Sequence, residues 1–166
     1  MVLELSVFHI AILFGAAILL VMAAVSDAQR YRIPNLVCAA LLLLFPLFVV
    51  TAPGAIEWGQ HLMVFGLMLI SGFVMFMGNI AGAGDIKLLA AMGLWAGPHL
   101  VAVFLITTAI AGGLLAVVMA LLTHFRNRSG RSAIALAKVP IPYGIAISTG
   151  GLVVLCFLSQ PILFPS

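Results

Sequence analysis

The segment Gly82-Ala83-Gly84-Asp85-Ile86-Lys87 places an aspartate and a lysine between two long hydrophobic runs. Acidic residues are rare in this chain, and the only ones among its 166 residues are Glu4, Asp27, Glu57 and Asp85. A carboxylate beside lipid is costly and by default marks a functional site. The segment therefore raises the question of which group acts together with Asp85, and Asp27 is the candidate that we consider.

The composition predicts an all-α, polytopic membrane protein. Hydrophobic residues make up 65% of the chain and charged residues 7%, whereas a soluble domain carries roughly 25% charged residues. The length suits a single membrane-embedded domain over residues 1–166. The pI of about 9.3 comes from only seven Lys and Arg residues. Membrane lipid and topology explain these short basic patches, and we expect no nucleic-acid partner.

The apolar runs predict six transmembrane helices, at residues of about 5–25, 36–51, 61–77, 86–96, 99–123 and 141–158. At about 1.5 Å per residue, the fourth helix is too short for the roughly 30 Å hydrocarbon core of a bilayer. This shortness predicts local thinning or a water-filled hollow at the end of the fourth helix that carries Asp85.

The basic residues predict how the helices are oriented. They follow the first span (Arg30 and Arg32), lie near Lys87, and follow the fifth span (126–138), while the loops after the second and fourth spans contain none. If all six helices cross, every basic patch lies on the cytoplasmic face, as the positive-inside rule requires. Both termini are then non-cytoplasmic. Asp27 and Asp85 both lie at cytoplasmic helix ends.

Two neighbouring carboxyl groups can share one proton, so that one acts as a base on water and the other as an acid towards a carbonyl oxygen. Other hydrolytic sets are missing: the chain has no His-Glu-x-x-His and no Gly-x-Ser-x-Gly motif. We therefore expect no metal and no cofactor. Three alternatives to an aspartic peptidase stay open: a proton relay in a small transporter, structural pairing with Lys87 and Arg30, and a structural subunit of a secretion machine.

Three motifs carry a resemblance to the prepilin peptidases. Asp27, followed by Arg30, Ile33, Pro34 and Asn35, resembles the first motif of that family. The stretch from Gly82 to Gly93 resembles the second motif, whose Gly-x-Gly-Asp core presenilin-like proteases share. The stretch Lys138 to Ala146 is similar to a third family segment at the start of the last helix. The short length resembles the peptidases of tight-adherence (Flp-type) pilus systems.

The resemblance implies that Asp27 and Asp85 are the catalytic pair. It also implies that the substrate is a type IV-like prepilin or pseudopilin, cleaved after its short leader at the cytoplasmic face of the bacterial inner membrane. Longer family members carry an extra region with paired Cys-x-x-Cys motifs and methylate the new N-terminus. Here the loop after the first span has only about ten residues, so we expect no methylation.

Six further residues are candidates for substrate binding: Gly82, Gly84, Lys87, Pro142, Tyr143 and Gly144. The glycines leave room for an extended substrate backbone, although an ordinary turn explains them equally well. Interface snorkelling is the alternative for the lysine, and a capped helix start for the last three residues. Because Asp27 follows a predicted helix C-terminus and Asp85 precedes an N-terminus, the helix dipoles predict that Asp85 is the ionised base and Asp27 the protonated acid.

Overall fold

The computed structural model describes residues 2–52, 54, 56–127 and 142–163, with the backbone alone at 2–6, 126–127 and 161–163. Five helices account for nearly all of these residues: α1 (Val2–Arg30), α2 (Asn35–Thr51), α3 (Trp58–Met77), α4 (Ala83–Asn127) and α5 (Tyr143–Leu163). The described residues contain no β-strand. The predicted all-α class is confirmed. The predicted basic loop lies mostly outside the described residues.

Four of the helices are long and apolar enough to cross a membrane. They are Val7–Arg30, Trp58–Met77, Ala83–Phe125 and Tyr143–Gln160, and α2 is an apolar but shorter helix. Large hydrophobic side chains are exposed along their outer faces, for example Phe14 and Ile70. A protein surface of this kind is stable in lipid and not in water. The protein is therefore a multi-pass membrane protein.

Helix α4 is interrupted at Gly97, whose φ of 58° and ψ of −171° are not helical, and Pro98 follows. Contacts with α5 show that the chain reverses direction there. Gly151 of α5 packs against Met92 before the break, and the neighbouring Gly150 packs against Thr108 after it. We call residues 83–96 α4a and residues 98–127 α4b. The sequence predicted separate helices at 86–96 and 99–123, and the break lies between them.

Helix α4a forms the centre of the bundle, and residues 90–97 are all buried. The indole N–H of Trp95 donates to the carbonyl of Leu41 in α2 at 3.1 Å, within an otherwise apolar core. Helix α3 is mostly exposed, and its buried residue is Gly72, which faces Ile86 of α4a. The order of packing therefore places α4a inside and α3 on the outside.

Helix α1 continues to Arg30. The sequence predicted that this helix ends near residue 25 and that Asp27 lies in the following loop. This prediction was wrong because Ala28, Gln29 and Arg30 are good helix formers although they are not all apolar. The helix ends at Tyr31, which has a φ of 51° and donates its N–H to the carbonyl of Asp27 at 2.9 Å. This is a left-handed C-terminal cap.

Candidate active site

Asp27 lies in the last turn of α1 and is only 4% exposed. Its Oδ2 accepts a hydrogen bond from the backbone N–H of Gly144 at 2.6 Å. Gly144 is the second residue of α5, so the carboxyl group occupies the place of an N-terminal capping group for that helix. The contact fixes Asp27 between the end of one helix and the start of another.

A glycine is needed at position 144 because the space beside it is full. A Cβ there would lie 2.8 Å from Oδ2 of Asp27 and 2.9 Å from Cδ1 of Ile33. Both distances are shorter than real Cβ contacts. The sequence suggested Gly144 as a residue that lines the site, and the structure gives it the more specific task of holding Asp27.

Asp85 lies in the first turn of α4. The sequence had predicted it in the loop before this helix. The N–H of Ile86 donates to the carbonyl of Gly82 at 3.2 Å, so Gly82 is the N-terminal capping residue of the helix that begins at Ala83. The carboxyl group of Asp85 turns back to the backbone of Gly82, with which it interacts. Asp85 therefore also stabilises a helix N-terminus, as acidic residues in a first turn do.

Ile33 packs between the two helix starts that lie beside the aspartates. Its side chain packs against Gly144 on one side, and a Cβ at Gly84 would lie 3.3 Å from Cβ of Ile33 on the other. The first turns of α4 and α5 are thus both packed against one residue of the segment between α1 and α2. Asp27 and Asp85 are brought close enough for a charge on Asp27 to act on Asp85.

A cavity of about 210 Å³ opens beside Asp85. Thr108 and Tyr143 supply the other polar side chains of its lining, and the rest of the wall is mainly apolar, with Gly72 and Ile147 among its residues. Asp27 is not part of the lining, since it lies beside Gly144. The geometry therefore gives one aspartate among the residues that line the cavity and one that is buried away from it.

The remaining predicted site residues lie around this end of the bundle. Lys87 donates from Nζ to Oδ1 of Asn35 at 3.0 Å, and this exposed hydrogen bond connects α4a with the first residue of α2. Pro142 is buried and accepts the N–H of Ile145 at 3.3 Å. Tyr143 is 45% exposed. These contacts supply structural roles for Lys87 and Pro142, while substrate contact stays a prediction.

The helix-dipole argument for the acid and base roles has to be corrected. It assumed that Asp27 faces only a helix C-terminus. The structure adds the N-terminus of α5, whose Gly144 N–H donates to the Asp27 carboxylate. Because both aspartates now face a helix N-terminus, the dipoles no longer distinguish the acid from the base.

Two of the histidines lie away from the aspartates and have hydrogen-bond partners. Nδ1 of His9 is 3.1 Å from Oγ1 of Thr51, and His61 donates to the carbonyl of Leu94 at 2.7 Å. Both pairs lie at the end of the bundle opposite to Asp27. In the part of the chain that the structure describes, no three His, Cys, Asp or Glu side chains are grouped so as to hold a metal ion.

Sequence reasoning placed Ile33 and Asn35 in the first motif but gave neither of them a structural role, and it did not identify Thr108 at all. A signal existed for Ile33, which is an isolated apolar residue in the otherwise polar stretch from Gln29 to Asn35. Thr108 gave no such signal, since it lies within a long apolar run beside a second threonine.

Comparison with known proteins identifies a family for most of the chain. Residues 12–117 match the model of the type IV leader peptidase family. The matched region includes both Asp27 and Asp85 but ends before α5. Neither a curated protein nor a solved structure matches the chain.

Proposed function

Because the chain belongs to the type IV leader peptidase family, we propose that it is an aspartic endopeptidase in which Asp27 and Asp85 together activate a water molecule. The observation that carries this proposal is the convergence of the two carboxyl groups, which Gly144 and Ile33 bring together from separate helices. Membership of the family makes the protein a peptidase with prepilin-type substrates. The pair of aspartates is our proposal for its chemistry.

In the proposed reaction, the two carboxyl groups share one proton. The ionised carboxylate accepts a proton from water as the water attacks the peptide carbonyl, and the protonated carboxyl donates to the carbonyl oxygen. As the tetrahedral intermediate collapses, the carboxyl group that accepted the proton from water donates it to the amide nitrogen, and the other carboxyl group takes its proton back from the hydroxyl. The C–N bond then breaks and the leader is released. Asp85 meets the substrate in the cavity, and the fixed position of Asp27 means that little reorganisation is needed during the reaction.

We propose that the substrates are Flp-type prepilins and that cleavage occurs at the cytoplasmic face of the bacterial inner membrane, in a chain with six crossings and both termini outside. The exposed basic residues Arg30, Arg32 and Lys87 support this orientation, since they lie at the end of the bundle that holds the aspartates. The link between α1 and α2 is only residues 31–34. It has no room for the paired cysteine motifs, which supports cleavage without N-methylation.

The test is cleavage of a purified Flp-type prepilin by the full-length protein in detergent, followed by mass spectrometry. We expect Asp27→Asn and Asp85→Asn each to reduce kcat/KM by at least about 100-fold, because neither amide can exchange the shared proton. Each asparagine keeps an oxygen that can accept the backbone N–H, so the fold should persist. Glu57→Gln, at the exposed start of α3, is the matched control.

Undiminished cleavage by either aspartate variant would contradict the dyad. With a methyl donor added to the same assay, a product that carries an added methyl group would contradict the absence of methylation. If the wild-type protein cleaved no prepilin but conducted protons across a liposome membrane, the relay alternative would replace the peptidase.

A further inference from the structure

The cavity beside Asp85 has an open side and a closed side. Met75 and Tyr143 of its lining are 41% and 45% exposed, so they lie at its mouth. Ile86 and Ile147 are 6% and 4% exposed, so they form its floor. The wall is almost wholly apolar. A polar group that entered would lose its hydrogen bonds to water, whereas an apolar group would be stabilised there.

The size of the cavity limits what can enter it. Its volume of about 210 Å³ is below the roughly 300–1,000 Å³ of typical ligand pockets. Leu89 lies one helical turn after Asp85, and Ile147 lies one turn after Tyr143. The cavity therefore extends into the bundle by one turn, or about 5.4 Å. A helix with its side chains is about 10–12 Å across and does not fit, but a single side chain does.

Asp85 belongs to the lining of this cavity, so in the proposed reaction the cavity lies beside the bond that is cleaved. Successive side chains of an extended peptide point to opposite sides, so only one of the two residues that flank this bond can point into the cavity. We propose that the cavity binds the apolar side chain of that prepilin residue, and that Ile147 and Leu89 determine the size of side chain accepted. This inference rests on the proposed peptidase function and adds specificity-determining residues to its site.

A second, larger cavity of about 460 Å³ supplies the matched controls. Its lining is also apolar and includes Ile70 and Phe73 of α3, but neither Asp85 nor Ile147 belongs to it. A change at Ile70 therefore alters an apolar cavity of the same protein without altering the wall of the proposed side-chain pocket.

The test is cleavage of purified Flp-type prepilins by the full-length protein in detergent. The prepilins carry alanine, leucine or phenylalanine either before or after the cleaved bond. At one of these two positions, the wild-type protein should cleave the leucine substrate with a kcat/KM at least about tenfold above that of the alanine substrate, because each methylene in an apolar pocket contributes to discrimination.

The variants should change this preference at the same position. Ile147→Ala widens the pocket and should raise kcat/KM for phenylalanine relative to leucine by about tenfold, and Leu89→Ala should do the same from the side of α4a. Ile147→Phe fills the pocket and should bring leucine to within about twofold of alanine.

The ratio between two substrates separates specificity from folding. A less stable variant loses the same fraction of its activity towards every substrate, so destabilisation alone leaves the ratio unchanged. Ile70→Ala and Ile70→Phe should keep every ratio within about twofold of wild type. The melting temperature of each variant is measured alongside.

Ratios that stay at the wild-type value in both Ile147→Ala and Leu89→Ala would overturn the inference and leave the peptidase proposal intact. So would a wild-type protein with no preference among the three side chains at either position. Either result would leave the cavity to a lipid or detergent chain. If wild-type protein cleaved none of the prepilins, the proposed function would fail first and the inference with it.

Discussion

The contact between Asp27 and Gly144 joins two parts of the chain that are 117 residues apart. A backbone N–H is a rigid donor, so this contact orients the carboxyl group without ordering a second side chain. The aspartate is also 4% exposed, which leaves little water to compete for its oxygens. The position of Asp27 is therefore set by backbone geometry, and the absence of a side chain at Gly144 is what makes it possible.

The first prediction concerns this glycine. Gly144→Ala would place a Cβ against both the Asp27 carboxyl group and Ile33, so the start of α5 must shift. We expect a loss of about 1–3 kcal/mol in the free energy of unfolding, as in other overpacked sites, and at least about a tenfold loss of kcat/KM. Thermal unfolding and prepilin cleavage are the measurements.

Gly113→Ala is the control for this prediction, because a Cβ at Gly113 meets nothing within 4 Å. It should leave cleavage unchanged. Equal activity of the two variants would show that close packing at Gly144 does not position Asp27.

At the scale of the helices, two glycines determine how α4a is held. Gly72 lets α3 approach Ile86, the residue after Asp85, and Gly97 allows the reversal between α4a and α4b. His61 reinforces the reversal, because its ring occupies the space beside Gly97 and it donates to Leu94. Helix α4a is therefore fixed at both ends by close approaches that a larger residue would prevent.

The second prediction tests the contact of α3. In Gly72→Ala, the new Cβ would overlap the side chain of Ile86 and push α3 away from the turn that carries Asp85. We expect lower thermal stability, by about 1–3 kcal/mol, and reduced cleavage. Gly66→Ala, on the same helix with nothing within 4 Å, is the control and should be neutral or slightly stabilising. Identical melting curves would contradict the predicted contact.

The third prediction concerns the reversal. Alanine at position 97 would have to adopt a φ of 58° and would meet the ring of His61. Left-handed strain and the collision together predict a loss of about 3 kcal/mol or more in stability. Gly59→Ala, which meets no neighbour within 4 Å, is the control. A wild-type melting temperature in Gly97→Ala would show that the break tolerates a side chain.

The sequence predicted the positions of these elements better than their ends. Apolar runs identified the helices, and the separate runs predicted at 86–96 and 99–123 left the boundary within α4 at Gly97 and Pro98, where the structure has it. Hydropathy failed at Asp27, because helix propensity continues through polar residues after the apolar run has ended. It also could not pair Asp27 with Gly144, since a backbone donor has no signature in sequence and the pairing depends on the packing of α1 against α5.

At the scale of the whole molecule, most of the charged side chains that the structure describes lie at one end of the bundle. Asp27, Asp85 and Lys87 lie there, while the other end carries His9 with Thr51 and the exposed Glu57. The apolar flanks between the two ends suit the hydrocarbon core of a bilayer. Because the basic residues lie at the same end as the aspartates, the positive-inside rule predicts that the aspartates are on the cytoplasmic side of the membrane.

The fourth prediction tests that sidedness. In a background with Cys38→Ala and Cys156→Ala, a single cysteine at exposed Gln29 or exposed Trp58 marks one end of the bundle. With spheroplasts and a thiol reagent that cannot cross membranes, we expect labelling of Trp58→Cys, and of Gln29→Cys only after lysis. Labelling of Gln29→Cys in intact spheroplasts would place the aspartates on the outer face.

The reversal at Gly97 also has a consequence for biosynthesis. Helix α4a is short and carries Asp85 and Lys87, so it would enter a bilayer poorly as a separate segment. Its connection to α4b is a single non-helical residue, and α4b is long and apolar. The two segments are therefore suited to leave the translocon together as a helical hairpin. In a chain that ended at residue 97, α4b would be missing. Helix α4a, which carries Asp85, would then insert poorly into the membrane.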